Sequence, residues 1–233
     1  MKSKLAAAIS LDVRVQARSG LYSIGVVIAV FLGLLVRFLV PESVRGAGLA
    51  VFYVLALGGT TYIFSAVMLL RDKSQNTLAA LRVSMMDART YVAAKTLTLT
   101  TFALVEAAIV YVVGGGWPLP PLPLAVGVVV LGLLYTLCGL AQVAPHSSVT
   151  RFLMPDAVIA SVLLQLSVYY VFDVGPAEVW FAVPSMPALL IMRAAEMDHG
   201  FEVLIYAVVG APVTIVLAGW LCLWRIRRHT GLA

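Results

Sequence analysis

The sequence predicts an all-α polytopic membrane protein, and three observations carry that prediction. Hydrophobic residues make up 62% of the 233 positions and charged residues only 12%, against about 25% charged in an ordinary soluble domain. Mean hydropathy is +1.01, more apolar surface than a soluble fold of this length can hide, so the bilayer is the solvent. The apolar runs recur along the whole chain, are continuous rather than alternating, and suit spans of about 20 residues, which points to helices and away from a porin-like barrel. Residues 1–233 therefore read as a single transmembrane domain with six spans.

Residues 1–19, MKSKLAAAISLDVRVQARS, read as an amphipathic interfacial helix. Leu5, Ile9, Val13 and, one position off, Leu11 mark an apolar side, while Lys2, Lys4, Arg14 and Arg18 supply charge suited to an anionic leaflet. The run that follows is too long for a signal core and lacks a small-residue cleavage site. It is the first span, 21–40, with Arg37 snorkelling at its far end. Pro41, Gly46 and Gly48 make a turn into the second span, 49–70, where Gly58-Gly59-Thr60-Thr61 permits close helix approach.

Residues 71–95, RDKSQNTLAALRVSMMDARTYVAAK, form the main charged interruption and hold five of the sixteen Lys and Arg residues. Ser74, Asn76 or Thr77 is expected to cap a short helix there, within 74–88. Leu78, Leu81 and Met85 recur at helical spacing with Met86 beside them, Arg82 and Ser84 lie on the exposed side, and Asp87 resembles a second cap. The third span is 90–113. A Gly- and Pro-rich turn leads to the fourth, 124–143, and the fifth is 157–172. Residues 176–198 are too polar and Pro-interrupted for a clean span. They predict two short helices dipping into the membrane from outside, a geometry tolerated only where protein or a cavity covers it. Pro184, Met186, Pro187 and Met192 are the outer-gate candidates in this segment. The sixth span is 203–224 and 225–233 is a tail.

With both termini inside, thirteen of the sixteen Lys and Arg residues fall in inner segments and three (Arg37, Arg45, Arg193) in outer ones. The expected location is a bacterial inner (plasma) membrane, multi-pass, with both termini cytoplasmic. The net charge of +5 reports this topology and not nucleic-acid binding, since no soluble basic face with aromatics occurs. Cys138 and Cys222 both lie in apolar runs and read as packing residues, without metal-ligand spacing.

No P-loop, HExxH or GxSxG pattern occurs, and His146, His199 and His229 are scattered at span edges. The chain therefore reads as neither an enzyme nor a cofactor binder. One carboxylate stands inside a span: Glu106 lies eleven residues past Lys95, roughly 16 Å along a helix. A buried acid there faces protein or a wet cavity. It reads either as a proton or substrate contact, or as a structural group bonded to Gln165, Tyr135 or Thr136. Glu106, Gln165, Tyr135 and Tyr169 are the intramembrane polar and translocation candidates.

The 71–100 stretch resembles the loop after the second span of ABC-2 type permeases: Thr77, Leu78, Leu81, Tyr91 and Lys95 fit, while Asn76 and Val83-Ser84-Met85 depart where Gly and Pro are usual. LDVRVQARSGLYSI (11–24), LVEAAIV around Glu106, RFLMPDAV (151–158) and VPSMPALLIMRAA (183–195) resemble the small permeases known as fluoroquinolone exporters. The resemblance implies a half-transporter of six spans whose cytoplasmic coupling helix, Thr77, Leu78, Leu81, Arg82, Met85, Met86 and Asp87, docks on an ABC ATPase. It implies two ATPase copies binding ATP and Mg, a second permease copy as homodimer or heterodimer, and export of a lipophilic, drug-like, lipid-like or small peptide cargo. Two other expectations stand beside it. One is a proton-coupled secondary transporter using Glu106; the other is a membrane accessory or immunity protein that transports nothing.

Overall fold

The computed structural model describes residues 2–83, 86–115, 120–148, 158–194 and 201–232. Five helical segments among them are long and apolar enough to cross a membrane: Leu21–Leu39, Glu42–Ser74, Ala88–Val113, Pro121–Val143 and Glu202–Thr230. The chain is an all-α polytopic membrane protein.

Helix α1 (Lys2–Arg18) ends at Gly20, whose φ of 75° turns the chain into α2 (Leu21–Leu39). The face that α1 buries is Ala8, Asp12 and Gln16, one helical row. Leu11 and Val13 remain exposed, as expected of an interfacial helix, but the protein-facing side is polar. Helix α2 buries Leu21, Gly25, Ala29, Gly33 and Val36. These mostly small residues let it lie close to the helix at 88–113, and its remaining surface faces outward.

The second expected span is longer than 49–70. A 3-10 turn (Glu42–Val44), α3 (Arg45–Phe52), a π-helical segment (Tyr53–Leu57) and α4 (Gly58–Ser74) form one continuous rod. The π segment ends at Gly58-Gly59, and a Cβ on Gly58 would stand 2.8 Å from the Tyr135 ring. Gly58 thus serves close packing on the helix at 121–143, while a Cβ on Gly59 would meet Gln165 Nε2 at 3.2 Å.

Asn76, at φ 56°, breaks the chain before α5 (Thr77–Val83). That helix is shorter than the expected 74–88 region, and Met85 lies outside the described residues. Helix α6 (Ala88–Val113) follows Asp87, which is extended as a cap should be. Helix α7 (Pro121–Val143) starts with Pro at its first turn, where the fixed φ is preorganised for a helix. It is the central helix, packed by α4, α6, α10 and α11.

The fifth expected span is represented by α8 (Val158–Gln165) and a 3-10 stretch (Leu166–Phe172). At 1.5 Å and 2.0 Å rise per residue these cover about 26 Å, near the thickness of the hydrocarbon core. The expected paired short helices are present as α9 (Ala177–Trp180) and α10 (Met186–Met192). Helix α10 is almost wholly buried, and the Ser185 hydroxyl bonds Leu164 O and lies 2.8 Å from Ser167 Oγ. Finally α11 (Phe201–Thr230) continues through the expected tail, so residues 225–230 are helix and not a loose end. Gly231, at φ 66°, terminates it.

Candidate functional site

The site is built on one stripe of α6: Tyr91, Lys95, Thr98, Phe102 and Glu106, residues three or four apart and all buried. At its first end stands a charge cluster. Lys95 Nζ lies 2.5 Å from Asp12 Oδ1 of α1 and 3.0 Å from Asp72 Oδ2 of α4. Thr98 donates to Asp12 Oδ2 at 2.5 Å, Gln16 donates to the same oxygen at 2.6 Å, and Tyr91 donates to Asp72 Oδ2 at 2.7 Å. Tyr22 then donates to Gln16 Oε1 at 2.9 Å, carrying the network onto α2. Two carboxylates face one ammonium, and the surplus negative charge is met by hydroxyl and amide donors. That satisfaction is what makes buried charge tolerable.

The network joins α1, α2, α4 and α6 at one end of the bundle. Sequence reasoning missed it. The available signals were an acid on an otherwise basic helix (Asp12), its i+4 amide (Gln16), and a lysine heading a span (Lys95).

The same end holds α5, and its neighbours grip it firmly. Leu78 is buried at 5% exposure, with Leu81 half-buried beside it. Thr77, Leu81 and Met86 line a cleft that reaches Asp12, Asp72 and Lys95. Leu78 and Leu81, expected to face a partner, therefore lie toward the bundle, because the apolar side of a short helix buries on its own protein. The outward face is Ala79, Ala80, Arg82 and Val83, with Val83 86% exposed. Arg82 is committed as well: its guanidinium donates to Thr230 O at the end of α11. Lys73, just before α5, donates to Ala144 O at 2.5 Å and His146 O at 2.8 Å beyond the end of α7. Asp87 heads α6.

At the other end of the α6 stripe, past Phe102 and its ring contact with Tyr22 (5.0 Å between centroids), lies Glu106. It is 1% exposed, and neither carboxylate oxygen has a hydrogen-bond partner among the described residues. It faces α2 at Gly25, where any Cβ would collide with Phe102 and with Glu106 Oε1. The expected ties do not form. Tyr135 donates to Leu164 O at 3.0 Å, Gln165 Nε2 donates to Leu55 O at 3.1 Å, and Thr136 Oγ1 has no partner. Tyr135 and Gln165 thus tie α7 and α8 to other neighbours, while Glu106 is directed to α2. Tyr169 stacks on Trp180 at 5.6 Å. Of the gate candidates, Met186, Pro187 and Met192 are buried and Pro184 is exposed. Met192 fills the space beside Gly127 of α7.

Beside the stripe, Ile9, Val13, Tyr22, Val26, Leu97, Thr101, Phe102 and Val105 line an apolar groove of ≈ 1120 Å³ between α1, α2 and α6. The arrangement is a buried charge network beside an apolar groove, with one acid that has no hydrogen-bond partner among the described residues.

A family model described as the Fluoroquinolones export permease protein family matches residues 3–230. No curated protein matches the chain.

Proposed function

The chain belongs to the Fluoroquinolones export permease protein family, and from that premise we propose that it is the membrane-spanning permease subunit of an ATP-binding-cassette exporter. In this reading it moves a lipophilic or amphipathic cargo out of the cell across the inner membrane. A separate ATPase subunit, present in two copies, binds ATP and Mg and supplies the energy. A second permease copy, identical or related, completes the path. Both termini and α5 lie on the cytoplasmic side.

The observation that carries this is the way α5 is mounted. The helix is bracketed by Asp72 before it and by Tyr91 and Lys95 after it, and these three residues meet in one buried network. Force applied to its outward face therefore passes into α4, α6 and α1 together, as a lever fed by an external motor requires. The docking surface in this reading is Ala79, Ala80, Arg82 and Val83, a revision of the ridge Leu78, Leu81 and Met85. The apolar groove of α1, α2 and α6 suits entry of a lipophilic cargo from the bilayer.

The test is co-expression with the ATPase encoded beside this chain. A stable complex with ATP hydrolysis, lost in Val83→Asp, is the expected result. Failure of any ATPase to bind, or a complex indifferent to Val83→Asp, refutes docking on this face. Glu106 favours a second reading, a proton-coupled transporter, because a buried acid without a partner is the form a proton site takes. Transport driven by a pH gradient and abolished by Glu106→Gln without any ATPase would establish that reading instead.

A further inference from the structure

Trp220, Leu223, Trp224 and Arg227 follow one another at i, i+3, i+4 and i+7 on α11, so they share one face. Arg89, in the first turn of α6, stands opposite, and the five residues line a cleft of ≈ 530 Å³. Its walls are two indoles and a leucine; its rim is two guanidiniums. We propose that this cleft binds the phosphate of an anionic phospholipid headgroup.

The cations at this end of the molecule divide into committed and uncommitted ones. Arg82 bonds Thr230 O, Arg225 donates to Ala141 O at 3.4 Å, Lys73 is held by two carbonyls, and Arg228 lies over the Trp224 ring at 5.4 Å. Arg89 and Arg227 take no hydrogen-bond or ion-pair acceptor among the described residues. Asp87, two residues before Arg89, feels its charge but forms no ion pair with it. Two free guanidinium forks converging on one cleft match the geometry of a phosphate group.

The apolar part of the cleft decides the source of the phosphate. Trp220 is 68% exposed and Trp224 47% exposed, at the point where α11 passes from apolar residues to Arg225, Arg227 and Arg228. Indoles at such a boundary lie at the headgroup level of a bilayer. Here they form a floor for the glycerol and first methylenes of a lipid, which a free phosphate would leave empty. With two guanidiniums and no carboxylate lining the cleft, its net positive charge repels the ammonium of a zwitterionic headgroup, so a headgroup of net negative charge is preferred.

The experiment is native mass spectrometry of the purified chain in detergent, titrated separately with phosphatidylglycerol, phosphatidylcholine and inorganic phosphate. A single phosphatidylglycerol is expected to be retained in preference to phosphatidylcholine. The double change Arg89→Gln with Arg227→Gln should weaken retention by roughly tenfold or more, as expected for two charge-assisted contacts. Arg37→Gln with Arg45→Gln removes equal charge near the far end of α6 and should leave retention unchanged. Equal retention of phosphatidylcholine, displacement of the lipid by equimolar phosphate, or full retention by the Arg89/Arg227 variant overturns the proposal. The headgroup comparison uses the unaltered chain, so the result does not depend on the folding of a variant.

Discussion

Lys95 and Asp12 are 83 residues apart in sequence, yet their side chains meet at 2.5 Å in a site where both are nearly inaccessible. Removing the cation leaves two buried carboxylates facing each other. Lys95→Met should therefore destabilise the protein by about 3–5 kcal/mol, as breaking a buried pair does. Asp12→Asn leaves the Lys95–Asp72 pair intact and keeps an acceptor for Thr98, so a loss nearer 1–2 kcal/mol is expected. Thermal unfolding in detergent of both variants checks the order. A Lys95→Met protein as stable as the parent would show that the cluster holds nothing together.

The α4–α7 contact makes a separate prediction. A Cβ on Gly139 would meet Tyr62 O, a backbone atom, at 2.5 Å, and would also collide with Ser65 Oγ. Backbone cannot move aside, so Gly139→Ala should force the helices apart and lower stability by about 1–3 kcal/mol. At Gly132 the nearest atom is the Thr100 methyl at 3.2 Å, which can shift. Gly132→Ala should be clearly milder in the same unfolding measurement.

The two sides of α5 should separate cleanly. Leu78 is buried and Val83 is 86% exposed. Leu78→Asp places a charge in the core and should lower the unfolding temperature sharply, whereas Val83→Asp should stay within about 0.5 kcal/mol of the parent. This comparison needs the permease alone. If both changes proved equally harmful, α5 would not present the outward face described above.

Arg82 closes the end of α11 by donating to Thr230 O, so close to Gly231 that a Cβ there would stand 3.1 Å from its guanidinium carbon. Such a contact satisfies a carbonyl that the helix itself cannot pair. Arg82→Ala should speed amide hydrogen exchange through 225–230, with an overall stability loss of about 1 kcal/mol. Unchanged exchange there would remove Arg82 from this role.

Local pattern made the spans legible, since each apolar run had only to be long and continuous. The glycines that bring α4 onto α7 were legible for the same reason. The inward turn of Leu78 was not, because periodicity shows that a helix has an apolar side without saying what that side meets. Asp12, Asp72 and Lys95 were beyond reach for another reason: each is an unremarkable charge near a span edge, and only the packing of α1 across α4 and α6 joins them. The extension of α11 through Arg225, Arg227 and Arg228 was hidden because charge density reads as a tail until its carbonyls are seen to be paired.

Glu106 sets stability against function in one residue. Both its oxygens are buried without a partner among the described residues, and an unsatisfied buried polar group costs about 1–3 kcal/mol, more if charged. Glu106→Leu keeps the bulk against Gly25 and Phe102 and removes that cost, so the variant should unfold at a higher temperature than the parent. A purely structural residue would then leave transport untouched. A stabilised variant that no longer moves cargo would show that the acid is kept for the transport cycle, with the fold bearing the strain. A variant that unfolds at a lower temperature would mean that the carboxyl makes a favourable contact, and its isolation against α2 would have to be abandoned.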